Sequence, residues 1–401
     1  MTPASKGLPA KLAFGALWVY LLVWPMTGIG AQGLDFVPAA KITGAALLAV
    51  LACLGLWKLN RAGGDQMGRL GRSVSGAAAR VPVKLALWGG LAALLVFPLL
   101  SSRYGQDVAI NVLVYVTLGL GLNVVVGLAG LLDLGYIAFY GVGAYTYALL
   151  SVHYELSFWL ALPLCAALAA LAGCLIGYPT LRMRGDYLAI VTLGFGEILR
   201  LVLNNWMKLT GGPNGILGVK PAAVWLPDPE EGWELTRMLV KSPLSQYYLI
   251  LAIALFTVLA VRRLGDSRIG RAWEAIREDE TAASIMGVDT FRLKLLAYAM
   301  GAVFGGLAGA FFAAKMRFVS PGSFTFIESA MVLAMVVLGG MGSVPGIVLG
   351  ALALIALPEF FRDFENYRML VFGAAMALMM LFRPAGLIPA KRLGKRSEED
   401  H

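Results

Sequence analysis

The chain has 401 residues, of which 59% are apolar and only 14% charged, with a mean hydropathy of +0.76. A soluble domain carries about 25% charged residues, so this composition excludes a water-soluble enzyme or nucleic-acid-binding domain and makes lipid the main solvent. The net charge of +9 reads as membrane topology, because the basic residues sit in short loops beside apolar runs.

A spanning helix needs about 20 mostly apolar residues. That length predicts spans near 12–30, 41–58, 85–100, 108–128, 134–151, 158–178, 187–205, 246–263, 293–315, 326–341, 346–361 and 368–383. The expected fold class is an all-α integral membrane protein, polytopic, with about 10–12 transmembrane helices. The short pieces at 134–151 and 326–361 are expected to be broken or re-entrant, which is tolerated where backbone faces protein rather than lipid. The predicted organisation is an N-terminal transmembrane extension over 1–104, a core over 105–390, and a charged tail over 391–401.

Residues 1–31 have a basic start, an apolar stretch and the small residues Gly28, Gly30 and Ala31. The stretch is long for a signal core, so an uncleaved anchor is expected. The loop 58–84 carries Lys58, Arg61, Arg69, Arg72, Arg80 and Lys84 against Asp65. Further basic groups are Lys6 and Lys11, Arg182 and Arg184, then Arg262, Arg263, Arg268 and Arg271, and finally Lys391, Arg392, Lys395 and Arg396. The twelve predicted spans put an even number of crossings between all of these groups. The expectation is an inner-membrane protein with both termini in the cytoplasm.

Some residues between and within the spans carry chemical information. Asp133, Glu197, Arg200 and Glu328 are charges at or near membrane depth, which is expensive unless they are paired. Glu197 and Arg200 lie three apart and are expected to form an intramembrane ion pair, as a structural lock or as a substrate contact. Gly301, Gly305 and Gly309 fall four apart on one helix face and predict close packing on a neighbouring span. The region from Gly127 to Gly143 mixes glycine with Asp133, Tyr136 and Tyr140, as a broken helix beside a translocation path would. Residues 206–245 form the longest external loop. Its Lys208, Lys220, Arg237 and Lys241 are balanced by Asp228, Glu230, Glu231 and Glu234, and it carries Pro213, Pro221, Pro227, Pro229 and Pro243. It reads as an ordered loop with turns and a short surface helix. Its Gly211, Gly212, Pro213, Asn214 and Gly215 form a turn that is either a docking surface or an ordinary connection.

The loop 264–292 is amphipathic. Asp266 or Ser267 is suited to cap a helix. Trp273, Ile276, Ala283 and Met286 recur at helical spacing, Glu274, Arg277, Glu278 and Glu280 supply a polar face, and Gly287 breaks the run. A short helix on the basic side either lies on the bilayer interface or docks in a groove of a cytoplasmic partner.

No metal site or cofactor is expected. Cys53, Cys165 and Cys174 all lie in apolar runs, and His153 and His401 have no ligand partner in the sequence. No GxxxxGK[ST] phosphate loop occurs, so ATP hydrolysis is not expected in this chain. No catalytic constellation stands out, so a non-catalytic subunit is expected.

The run Glu274-Ala275-Ile276 followed by Gly287 resembles a variant of the loop by which permeases of ABC importers meet their ATPase subunit. It departs from the usual pattern at Ile276 and in the wider spacing to Gly287. Three further segments are similar to branched-chain amino acid permeases. They are Gly119 to Asn123 running through Gly130–Tyr136 to Gly141–Tyr145, Gly211 to Ile216, and Gly339 to Gly346. The resemblance spans roughly residues 105–390 and is to the LivM family. It implies a translocation path or signature region at Asn123, Gly127, Asp133, Gly135, Tyr136, Tyr140 and Gly143. It also implies an ATPase-coupling helix at Trp273, Glu274, Ala275, Ile276 and Gly287. The implied partners are a homologous second permease, two cytoplasmic ATP-binding subunits, a periplasmic amino-acid-binding protein and membrane lipid, with no nucleic acid. Import of leucine, isoleucine or valine driven by ATP is the implied activity. A urea or short-chain amide permease shares many of these motifs, and an ion-coupled secondary transporter is a more distant alternative.

Overall fold

A computed structural model describes residues 94–181, 183, 186–227, 235–240 and 242–356, together with 29–30, 33–34, 92, 359, 373 and 386–388. The predicted span 41–58, all but 29–30 of 12–30, all but 373 of 368–383, half of 85–100, the basic loop 58–84, Arg182, Arg184 and the tail 391–401 lie outside the described residues. The chain divides into two compact units, 1–92 and 93–401. In the first, strand β1 (Ile29–Gly30) pairs antiparallel with β2 (Gly33–Leu34).

The second unit is a helical bundle. Among the described residues its helices include α1 (Arg103–Asn123), α2 (Ile137–His153), α3 (Phe158–Thr180), α4 (Asp186–Asn205) and α5 (Met207–Thr210), followed by α6 (Pro243–Asp266), α7 (Arg268–Glu278), α8 (Glu280–Ile285), α9 (Thr290–Met316), α10 (Phe326–Gly339) and α11 (Val344–Ala351). Among the described residues six helical segments are long and apolar enough to cross a membrane: Arg103–Leu128, Phe158–Thr180, Tyr187–Asn205, Pro243–Asp266, Thr290–Met316 and Pro321–Gly339. The chain is thus a polytopic helical membrane protein.

One expected span comes out shorter than the hydrocarbon core. Helix α2 is unbroken but has 17 residues, about 25 Å of rise. Helix α11 has 8 residues and continues as a π-helical turn over Leu352–Ala356. The predicted break within 326–361 falls at Gly340–Ser343, where Gly340 and Gly342 take φ of 113° and 86°. The other predicted break lies before α2 rather than within it. There α1 loosens into a π-helical turn over Val124–Leu128, and Gly130 turns left-handed with φ 72°.

Helix boundaries follow local chemistry. Ser102, Ser242, Ser267, Asp289 and Ser343 each accept a backbone N–H at the start of α1, α6, α7, α9 and α11. Proline opens α6 in its first turn, where its missing N–H costs nothing.

Helix α9 is the hub. Gly301, Gly305 and Gly309 turn toward α1 and α2, while Ala302 and Gly306 turn toward α3. A Cβ at Gly309 would stand 2.1 Å from the Tyr140 carbonyl oxygen, and one at Gly306 would stand 2.6 Å from the Ala169 Cβ. Backbones meet this closely because lipid offers no hydrophobic drive for association, and van der Waals contact between small residues takes its place.

The predicted external loop is more structured than one surface helix. It holds α5, a 3₁₀ turn at Gly212–Asn214, strand β3 (Ile216–Leu217), and a hairpin of β4 (Ala223–Pro227) with β5 (Leu235–Leu239). Strand β3 pairs antiparallel with β6 (Phe318–Val319), which follows α9, in the register Ile216–Val319.

Candidate functional site

The loops of the second unit gather at two poles. At one, the end of α1, the α7–α8 loop and the 340–343 turn meet, and the amides of Leu387 and Ile388 bond the carbonyls of Leu338 and Gly339. Arg262, Arg263, Arg268 and Arg271 belong to this pole. At the other, Lys315 sits 3.4 Å from Asp107, Lys220 sits 2.8 Å from Glu155, and β3 meets β6.

The amphipathic loop is two helices, not the single one expected. Asp279 leaves helical geometry, and its carboxylate accepts from the amides of Thr281 and Ala282 at 2.8 and 3.0 Å, which starts α8. The new helix has its own axis, so the periodicity does not carry across. Trp273, Ile276 and Ala283 are buried as one apolar face, but Met286, expected with them, is 83% exposed. Trp273 donates its indole N–H to the Leu293 carbonyl at 2.7 Å, so it anchors the loop to α9 rather than facing a partner. Lys294, itself buried, pairs with Glu280 at 2.6 Å and ties α8 to the same helix. Gly287 ends the loop with φ 86°. Glu274 is half-buried and Ala275 exposed. Outward lie Ala275, Ala282, Ile285 and Met286.

The residues of the suggested path sit in packed contacts around the start of α2. Asn123 is fully buried, and its Oδ1 accepts from the Gly342 amide at 2.8 Å. A Cβ at Gly127 would stand 1.9 Å from that oxygen. Asp133 lies in the connection between α1 and α2, 1% exposed, and accepts from the Gly135 amide at 2.8 Å. Burial pushes its carboxyl up to about 6, against the pull of the Gly135 amide and the Thr192 hydroxyl. Gly135 packs on α4, where a Cβ would stand 2.1 Å from the Thr192 carbonyl oxygen. Tyr136 donates to the Gly301 carbonyl at 3.0 Å. Tyr140 stacks on Phe312 and Phe324, with ring centres 5.3 and 5.5 Å away. Gly143 meets the Gly306 backbone. Among the described residues, Asn123 Nδ2, Asp133 Oδ2 and the Tyr145 and Tyr298 hydroxyls are buried without a hydrogen-bond partner.

The glycine turn is built on backbone that other residues disfavour. Gly211, Gly212 and Gly215 have φ of 73°, 59° and 67°. A Cβ at Gly215 would stand 2.2 Å from the Val319 carbonyl oxygen, so the turn clamps β3 on β6. Pro213 and Asn214 project outward. On α4, the Arg200 guanidinium pairs with both Glu197 carboxylate oxygens, its Nε at 2.9 and 3.0 Å. Both side chains are part-exposed on a helix the chain covers only on one side.

The sequence reading missed the roles of two residues at the first pole. Arg277, assigned to a polar face, donates to the Gly127 carbonyl. Its Cγ lies over Gly130, where a Cβ would stand 2.6 Å away. Lys294 is a buried cation beside the loop. Their partners lie far away in sequence or across a helix break, and no local spacing marks them. Among the described residues no cluster of three or more His, Cys, Asp or Glu side chains suits a metal ion.

The family "Branched-chain amino acid transport system / permease component" matches residues 106–380. The chain is 48% identical over 324 residues, covering 78% of itself and 76% of the relative, to the high-affinity branched-chain amino acid transport system permease proteins LivM of Salmonella typhimurium and Escherichia coli. It is also 26% identical over 292 residues to the permease protein LivH of Salmonella typhimurium, covering 68% of this chain and 91% of that one. No solved structure matches the chain.

Proposed function

The chain belongs to the branched-chain amino acid permease family, and from that premise we propose that it is the membrane-spanning permease subunit of a binding-protein-dependent ABC importer for leucine, isoleucine and valine. The observation that carries this reading is the 48% identity to LivM over 78% of the chain. ATP is hydrolysed in two separate cytoplasmic subunits, and a periplasmic binding protein delivers the amino acid. The second permease is a homologue, and the similarity of this chain to LivH as well as LivM supports such a pairing.

The α7–α8 loop is the docking element for an ATPase subunit. Its outward residues Ala275, Ala282, Ile285 and Met286 offer an apolar patch, and Glu274 and Glu278 flank it with charge. An apolar ridge of this kind suits a groove on the partner. The first pole is then cytoplasmic, consistent with its four arginines. The opposite pole is periplasmic, where Pro213 and Asn214 on the glycine turn meet the binding protein. Glu197 and Arg200 neutralise one another on α4 because an unpaired charge at membrane depth is costly.

Reconstitution in lipid vesicles with the second permease, the ATPases and the binding protein tests this reading. Uptake of labelled leucine, isoleucine and valine that needs ATP and survives an uncoupler is expected. Uptake of urea or acetamide in their place would move the substrate to amides, and uptake without ATPase subunits that an uncoupler abolishes would move the class to ion-coupled transport.

A further inference from the structure

We propose that Arg277 is the positioning residue that carries motion of the α7–α8 loop into the inner ends of the spans. This rests on the reading of that loop as the docking element, and adds the route by which displacement leaves it.

The route is a chain of direct contacts. Arg277 sits at the end of α7, half-buried, and its guanidinium donates to the Gly127 carbonyl. That carbonyl lies in the π-helical turn, where α1 leaves the regular ladder and end carbonyls need partners from elsewhere. The Arg277 stem lies over Gly130, which is left-handed and leaves 2.6 Å between a would-be Cβ and the Arg277 Cγ. The side chain therefore grips the 127–130 segment at two points, one polar and one steric. The segment in turn has no slack toward α10 and α11. A Cβ at Gly127 would stand 1.9 Å from Asn123 Oδ1 and 2.6 Å from the Gly342 amide nitrogen, and that amide donates to Asn123 Oδ1 at 2.8 Å.

Beyond the 340–343 turn, α10 and α11 meet glycine on glycine. A Cβ at Gly339 would stand 2.4 Å from the Gly346 carbonyl oxygen, and one at Gly350 would stand 2.5 Å from the Met335 carbonyl oxygen. Backbones this close leave no slack between the two helices either, so the pair moves with the Arg277 junction. Close-packed groups transmit displacement rather than absorb it.

Three variants separate this role from plain packing. Arg277→Met keeps the stem over Gly130 and removes the donor. Arg277→Lys keeps a donor. Gly130→Ala leaves the guanidinium in place but pushes the stem away and strains a left-handed backbone. In the reconstituted importer, Arg277→Met and Gly130→Ala are expected to bind the ATPase subunits as the parent does and to keep basal hydrolysis. Uptake per ATP is expected to fall roughly tenfold, the scale of one lost hydrogen bond to a charged group. Arg277→Lys is expected to recover part of it.

A second readout needs no transport. Spin labels at Glu278→Cys and Met341→Cys, on purified permease whose native cysteines are alanine, report the distance across the junction. A narrow distribution is expected for the parent and a broad one for Arg277→Met. Identical distributions in both, or unchanged uptake per ATP in Arg277→Met, would overturn the proposal. So would a loss of ATPase binding that accounts for the whole defect. If the parent importer takes up no branched-chain amino acid while the labels respond as expected, the proposed function fails and the junction stands.

Discussion

At the scale of single residues, the interior is decided by how close backbones come. Gly143 and Gly194 look equivalent in sequence, each a glycine in an apolar helix. A Cβ at Gly143 would meet the Gly306 carbonyl oxygen at 2.3 Å, while one at Gly194 meets nothing within 4 Å. Gly143→Ala is therefore expected to destabilise the protein by about 1–3 kcal/mol, and Gly194→Ala to leave it unchanged or slightly more stable. Thermal unfolding of both in detergent checks the contrast, and equal midpoints would contradict it. Asp133 is a residue whose environment the sequence hides. Its carboxyl, raised to about 6 by burial, favours the protonated form. Its contribution to stability is present below the ordinary carboxylate range and lost as pH rises through about 6. Asp133→Asn removes that dependence and keeps an oxygen for the Gly135 amide. Its melting temperature is expected to match the parent at pH 4 and below and to exceed it increasingly up to pH 8, which thermal scans across that range measure.

At the scale of elements, the α7–α8 loop shows how periodicity misleads across a break. Trp273, Ile276, Ala283 and Met286 fit one helical stripe on paper. Asp279 caps a second helix instead, and Met286 turns out to solvent while the other three pack inward. Truncating Trp273 to alanine is thus a structural lesion, expected to cost about 3–5 kcal/mol, with loss of folded yield on size exclusion. The pair Ile285→Asp and Met286→Asp changes only exposed positions. It is expected to leave the thermal midpoint within a few degrees while weakening capture of the ATPase subunits at least tenfold. Full capture by that double variant would remove the docking role from α8. The long apolar helices were legible because about 20 apolar residues in a row have few alternatives to spanning lipid. The two-residue ribbon of β3 with β6 was not, since strands of two residues leave no periodic signal.

At the scale of the whole molecule, two poles emerge from contacts that join distant segments. Ala275 and Met286 belong to one and Pro213 to the other. Single cysteines at these positions, in a chain whose three native cysteines are alanine, are expected to react with an impermeant maleimide from opposite sides of sealed vesicles. Labelling of Pro213→Cys and Met286→Cys from the same side would refute the two-pole arrangement. The sequence by itself determined the lipid solvent, the long spans, the family resemblance and the basic loops, because composition and helical length are properties of contiguous residues. Only the tertiary structure decided which glycines are indispensable, which face of the loop is turned outward, and that Arg277 reaches Gly127 across 150 positions. Those depend on which backbones meet, and close approach between distant segments leaves no trace in local spacing.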